Sequence, residues 1–292
     1  MVTAAPPIRT QTRSPLVLWH LLSLDAPTVA ALWTWFVAAA VHVYLPIGAP
    51  AAMALAVWML YAADRLLDSL QHDQELEARH RFHHKHRPAF LTGIAIDSVL
   101  LSGLLYHMLP GARRLYALLG SMLFAWFLLI HARGLPGRDA HRLPKEIAVG
   151  ICFPAAVFIP TVARFPALRL PLLPHATLFA AVCSLNCLFI YAWEHPGARP
   201  RAHWTTRYAT RHLTAFTAAV LIAAITIAAM TGIKHKGPWP LALACALSAL
   251  ALLALNRYRS RIQPITLRAA ADLALLTPLL FLPFLKLPFL KP

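Results

Sequence analysis

Charge is scarce in this chain. Only 13% of its 292 residues are Asp, Glu, Lys or Arg, about half of the ~25% that a soluble domain carries. That shortage excludes a water-soluble body. With 59% hydrophobic residues and a mean hydropathy of +0.60, it leaves an integral membrane protein of many helices. Acids are scarcest, eleven against 27 Lys and Arg, for a net charge of +16. There is no CxxC pair. Cys152, Cys183, Cys187 and Cys245 all fall inside apolar runs, where they read as small packing residues rather than metal ligands or disulfide partners. Met1 to Ser14 carries Arg9 and Arg13 but no apolar core, so no cleavable signal is expected there.

What is present is a succession of long apolar runs. A spanning helix needs about 20 such residues, and the sequence offers about nine runs, near 27–45, 49–70, 89–109, 113–132, 144–163, 171–193, 212–232, 239–256 and 264–285. The expected fold class is all-α: one multi-spanning domain over 1–292, with 1–22 as a cytoplasmic N-terminal segment. Pro154, Pro160, Pro278 and Pro283 are expected to kink or shorten the fifth and ninth runs. Sorted by alternate connections, 19 of the 27 Lys and Arg fall on one side and 8 on the other. The positive-inside rule then puts the N-terminus in the cytoplasm and the C-terminus outside, as an odd number of spans requires. The expected location is a cytoplasmic membrane. Because the positive charge lies in short loops between apolar runs, it reads as topology rather than as nucleic-acid binding.

Nine of the eleven acids lie on the expected cytoplasmic side or at its helix ends. Acids do not set topology, so their clustering suggests a polar site facing the cytoplasm. The second run ends Tyr61-Ala62-Ala63-Asp64-Arg65-Leu66-Leu67-Asp68, with Asp73 soon after. Asp64 and Asp68 share a helix face. Carboxylates so placed suit Mg²⁺, which binds one or two of them together with substrate phosphates. The alternative is a helix end whose charges meet water. A basic loop from Arg79 to Arg87 follows, able to take the remaining phosphate oxygens.

The sixth run ends with Asn186, Tyr191, Trp193 and Glu194. Asn186 and Glu194 are two turns apart and about 80° from one another, so both can reach one cavity. A Tyr/Trp belt at an interface accounts for Tyr191 and Trp193. His80-Arg81-Phe82-His83-His84 contains the HxxHH spacing of membrane di-iron hydroxylases, but no second such box exists; a basic loop at the membrane surface is the better reading. Asp25-Ala26-Pro27 reads as an ordinary helix start. Asp272 and Arg268 read as a pair that neutralises itself.

Together these residues resemble the UbiA superfamily of intramembrane prenyltransferases, in which nine helices ring a cavity and two aspartate-rich motifs bind Mg²⁺-diphosphate. Asp64-Arg65-Leu66-Leu67-Asp68 is similar to the D-R-x-x-D half of the first motif, and His86-Arg87-Pro88 to the N-R-P that follows it. Leu24-Asp25-Ala26-Pro27 resembles the start of the family's first helix, and Leu143-Pro144-Lys145 with Gly150 the start of its fifth. Tyr61 and Leu60 stand where the family carries Asp and Asn, and the second motif is reduced to Asn186 and Glu194.

The resemblance implies a prenyltransferase acting on a prenyl diphosphate and a lipid-soluble acceptor among membrane lipids. Asp64, Asp68 and Glu194 would hold Mg²⁺, helped by Asp73 and Asn186. Arg65, Arg87 and Lys145 would bind diphosphate oxygens. Tyr61, Trp58, Phe189 and Tyr191 would face an allylic cation. A terpene cyclase and a non-catalytic isoprenoid-binding protein are the alternatives.

Overall fold

A computed structural model describes residues 15–71, 78–132, 145–195, 203–233 and 237–285. Among these residues the chain is all-helical, without strands. Its α-helices are α1 (Pro15–Leu21), α2 (Asp25–Ala40), α3 (Gly48–Gln71), α4 (Ala78–Lys85), α5 (Arg87–Tyr106), α6 (Pro110–Ala132), α7 (Lys145–Arg164), α8 (Arg169–Glu194), α9 (Trp204–Arg211), α10 (Leu213–Ile233), α11 (Trp239–Tyr258) and α12 (Pro264–Leu273).

Each of the nine apolar runs coincides with helical structure, and the coarser part of the expectation, an all-helical chain with several candidate spans, is shown. Among the described residues six helical stretches are long and apolar enough to cross a membrane: Gly48–Leu67, Arg87–Tyr106, Pro166–Glu194, Leu213–Gly232, Trp239–Arg261 and Pro264–Pro283. α1 and α2 together make a seventh if they are one span, broken by an 88° bend. In the fifth run α7 is 20 residues long, and its side chains are described over Ala148–Arg164. This is consistent with an integral membrane protein. So is the outer surface: Ile96, Val99 and Leu100 on α5 and Ile222, Ile225 and Met230 on α10 are all more than half exposed. In water such continuous apolar surface would drive association; lipid accepts it.

The interior is built around α2 and α8. Trp33 stacks on Phe179 with ring centroids 3.9 Å apart, and Phe36 meets Trp33 edge-on at 5.6 Å. All three rings are fully buried. The prolines act differently in the two runs that carry them. α7 passes through Pro154 and Pro160 as one helix. The ninth run loses its α-helix at Leu273 and continues as a 3-10 helix over Thr277–Phe284, with Pro278 at its start. The break frees the Leu275 carbonyl, and Trp33 Nε1 donates to it at 2.7 Å. Thr277 Oγ1, just beyond, donates to the Ala244 carbonyl at 2.8 Å. The Leu275 carbonyl released by the break is thus bonded inside the bundle, the condition under which irregular backbone survives in a membrane.

Candidate functional site

Polar side chains converge where α1 bends into α2. Ser23 makes the turn with φ of 59°, a left-handed conformation uncommon outside glycine. The bend turns the carbonyls of His20 and Leu22 toward α3. Trp58 Nε1 donates to the Leu22 carbonyl at 3.1 Å. Two turns on, Arg65 Nη1 donates to the His20 carbonyl at 2.8 Å and to Ser23 Oγ at 2.7 Å. Ser23 Oγ also meets His83 Nε2, 3.1 Å away. His83 is fully buried and stacks on Phe90.

Asp25 lies within this elbow and is fully buried. Its Oδ2 is 2.5 Å from His20 Nδ1 and 3.8 Å from Arg65 Nη2, and its Oδ1 accepts the backbone N–H of Ala26. The expectation of an ordinary helix start therefore needs correction. A simple cap meets water, whereas this carboxylate is held in an ion cluster. A carboxylate buried without such partners would cost several kcal/mol.

From the other side come α8 and α12. Asn186 Nδ2 donates to Asp272 Oδ1 at 3.0 Å. Ligand atoms of His20, Asp25 and Asp272 all lie within 4.8 Å of one another. Two carboxylates this close either share a proton or need positive charge beside them, and Arg65 supplies one cation. The reading of Asp272 with Arg268 as a self-neutralising pair is also corrected. Arg268 pairs instead with Glu194 across the bundle, and Asp272 turns into the cluster. One helical turn separates the two side chains, and each finds a partner on α8.

The cluster fits a hard divalent cation in its oxygens. Asp25 and Asp272 offer carboxylates, and the buried Oδ1 of Asn186 has no hydrogen-bond partner among the described residues. Mg²⁺ prefers such ligands, while His20, turned to Asp25, is not one it selects.

The residues singled out in the sequence are placed as follows. Tyr61, Arg65 and Asn186 come together at the cluster, the Arg65 guanidinium 5.9 Å from the centre of the Tyr61 ring. Asp64 is half-buried on α3. The side chains of Asp68 and Lys145, and all of Asp73, lie outside the described residues. Arg87 is exposed at the first turn of α5. Glu194 and Tyr191 line a separate cleft at the end of α8. Phe189 is fully buried in apolar packing, and Trp58 is committed to the Leu22 carbonyl. Of the HxxHH box, His83 is buried and His84 exposed, and the side chain of His80 lies outside the described residues; His86, beyond the box, bonds back through Nδ1 to the Phe82 carbonyl.

Sequence reasoning missed His20, Asp25 and Asp272 as parts of a site. The signal for Asp272 was its position well inside an apolar run, since an ionisable residue there is functional by default. Compared with known proteins, the chain matches no family model, no curated protein and no solved structure.

Proposed function

We propose that this chain is a divergent UbiA-like intramembrane prenyltransferase, transferring an isoprenyl group from a prenyl diphosphate to a lipid-soluble acceptor with Mg²⁺. One observation carries the reading. Asp25 from the start of the first run, Arg65 from the end of the second and Asn186 from the sixth meet at one polar point. These are segments in which the sequence resembles the family, or in which its reduced second motif falls. The coincidence of all nine runs with helices supports a nine-helix arrangement around that point.

In this reading Asp25, Asp272 and Asn186 Oδ1 hold the cation, with Asp64 and Asp68 toward the basic connection. A bound Mg²⁺ supplies charge neutralisation on the departing diphosphate. Arg65 is a positioning residue: it fixes the elbow and Asp25, leaving diphosphate contact to Arg87 and Lys145. Tyr61, beside Arg65 and half-buried, offers its ring face to an allylic cation.

A second reading has an observation of its own. Arg65 is tied to the elbow and Glu194 to Arg268, which favours a scaffold that binds an isoprenoid without turning it over. The two readings part in one assay. Purified protein in nanodiscs receives labelled prenyl diphosphates of several lengths, with and without Mg²⁺ and a membrane lipid extract. The transferase reading expects Mg²⁺-dependent diphosphate release and a prenylated lipid, both lost in Asp272→Asn and Asp68→Ala. A cyclic product formed without extract would make the chain a cyclase. Binding without release would make it a carrier.

A further inference from the structure

A second cleft, of about 600 Å³, opens at the end of α8 between α9, the turn after α11 and the start of α12. Its walls are cationic. Arg207 and Arg211 reach it from α9, four residues apart and so on one face. Arg259 comes from the turn after α11 and Arg268 from α12. Among the described residues the one acid in its lining, Glu194, pairs with Arg268, and Arg207, Arg211 and Arg259 have no carboxylate partner there. The sequence offers little else to pair with them, since His195 to Ala271 contains ten Lys and Arg and no acid. Part of the lining is apolar, from Ile262 and Leu267.

The depth of the cleft is inferred from α9. Thr206 and Ala209 of this short helix are buried, while Trp204 and Tyr208 are 65% and 55% exposed. Trp and Tyr settle at the level of lipid headgroups. A helix with aromatic and cationic residues outward lies along the membrane interface. The cleft therefore joins an arginine cage to an apolar wall at the depth where lipid phosphates lie.

We propose that this cleft binds a phosphate-ester anion, with Arg207, Arg211 and Arg259 holding the phosphate oxygens and the apolar wall taking the adjoining carbon chain. Guanidinium groups suit this ligand because their planar donors can grip two oxygens at once. A lipid headgroup and a soluble phosphate share that chemistry. The proposal does not depend on the prenyltransferase reading, and its test needs neither Mg²⁺ nor turnover.

The test is ligand retention by native mass spectrometry and thermal stability, on full-length protein in a neutral detergent. Phosphatidylglycerol, phosphatidylcholine, inorganic phosphate and diphosphate are added separately. Phosphatidylglycerol is expected to be retained over phosphatidylcholine. Its affinity should fall roughly tenfold or more in R207Q/R211Q, as loss of charge-assisted contacts implies. R113Q/R114Q, which removes the same charge at the opposite end of the bundle, should bind as the parent does. R259Q gives an independent reading should the α9 double variant not fold. Protection by phosphate or diphosphate alone, lost in the α9 variant, keeps the site and assigns it to a soluble anion. Equal loss in both double variants, or loss in neither R207Q/R211Q nor R259Q, overturns it.

Discussion

Arg65 shows how one side chain can hold three segments together. It bonds the His20 carbonyl and Ser23 Oγ and sits beside the Asp25 carboxylate, and it is itself 5% exposed. Removing one member of a buried pair strands the other, at a cost of about 3–5 kcal/mol. Arg65→Gln is therefore expected to lower unfolding stability in detergent by about 3 kcal/mol or more, and Asp25→Asn in the same background should recover part of that loss. A double-mutant cycle measures it; additive losses would mean that the two residues do not interact. Trp33→Phe isolates a different contact. It keeps the stacked ring but strands the Leu275 carbonyl, and should cost about 1–3 kcal/mol, read from the same unfolding curves. At this scale the sequence was legible for Arg65, Tyr61 and Asn186, whose unusual places in apolar runs drew attention. It was not legible for Asp25, because a carboxylate before Pro27 looks the same whether it faces water or a guanidinium brought from α3.

Between elements, close approach decides what a position tolerates. A Cβ on Gly150 would fall 2.0 Å from Ser184 Oγ and 2.8 Å from Ser184 Cα, so α7 and α8 touch there through backbone. Small residues at such crossings are what let membrane helices pack. Gly120 on α6 has nothing within 4 Å of the same atom. Gly150→Ala should therefore destabilise by about 1–3 kcal/mol, whereas Gly120→Ala should be neutral or slightly stabilising through helix propensity; thermal unfolding of the pair in one detergent checks both. The places of the helices were readable, because apolar length is a direct physical requirement of a bilayer. The 3-10 ending of the ninth run was foreshadowed by Pro278 and Pro283. The uninterrupted passage of α7 through Pro154 and Pro160 was not, since packing against α8 and α2 outweighs the two lost hydrogen bonds.

For the molecule as a whole, the number of helices that cross the bilayer sets the side on which each connection lies. If all nine do, the connection at 133–144 is cytoplasmic and the C-terminus is outside. A single cysteine placed at Tyr106, which is 74% exposed, should then react with an impermeant reagent from outside intact cells, and one at Tyr258, 54% exposed, only after permeabilisation. Labelling of Tyr258 from outside would overturn the orientation read from the Lys and Arg distribution. That distribution is visible in the sequence because charge meets the membrane loop by loop. The meeting of Asp25, Arg65, Asn186 and Asp272 is a property of the closed bundle alone. Their order along the chain has a consequence for synthesis. Asp25 and Arg65 belong to neighbouring apolar runs, so a carboxylate and its counter-charge are made within one helical hairpin. Asn186 follows much later in the chain, and Asp272 later still. The carboxylate that completes the cluster is thus made after its partners, and the cluster closes only when α12 packs against α8 and α2.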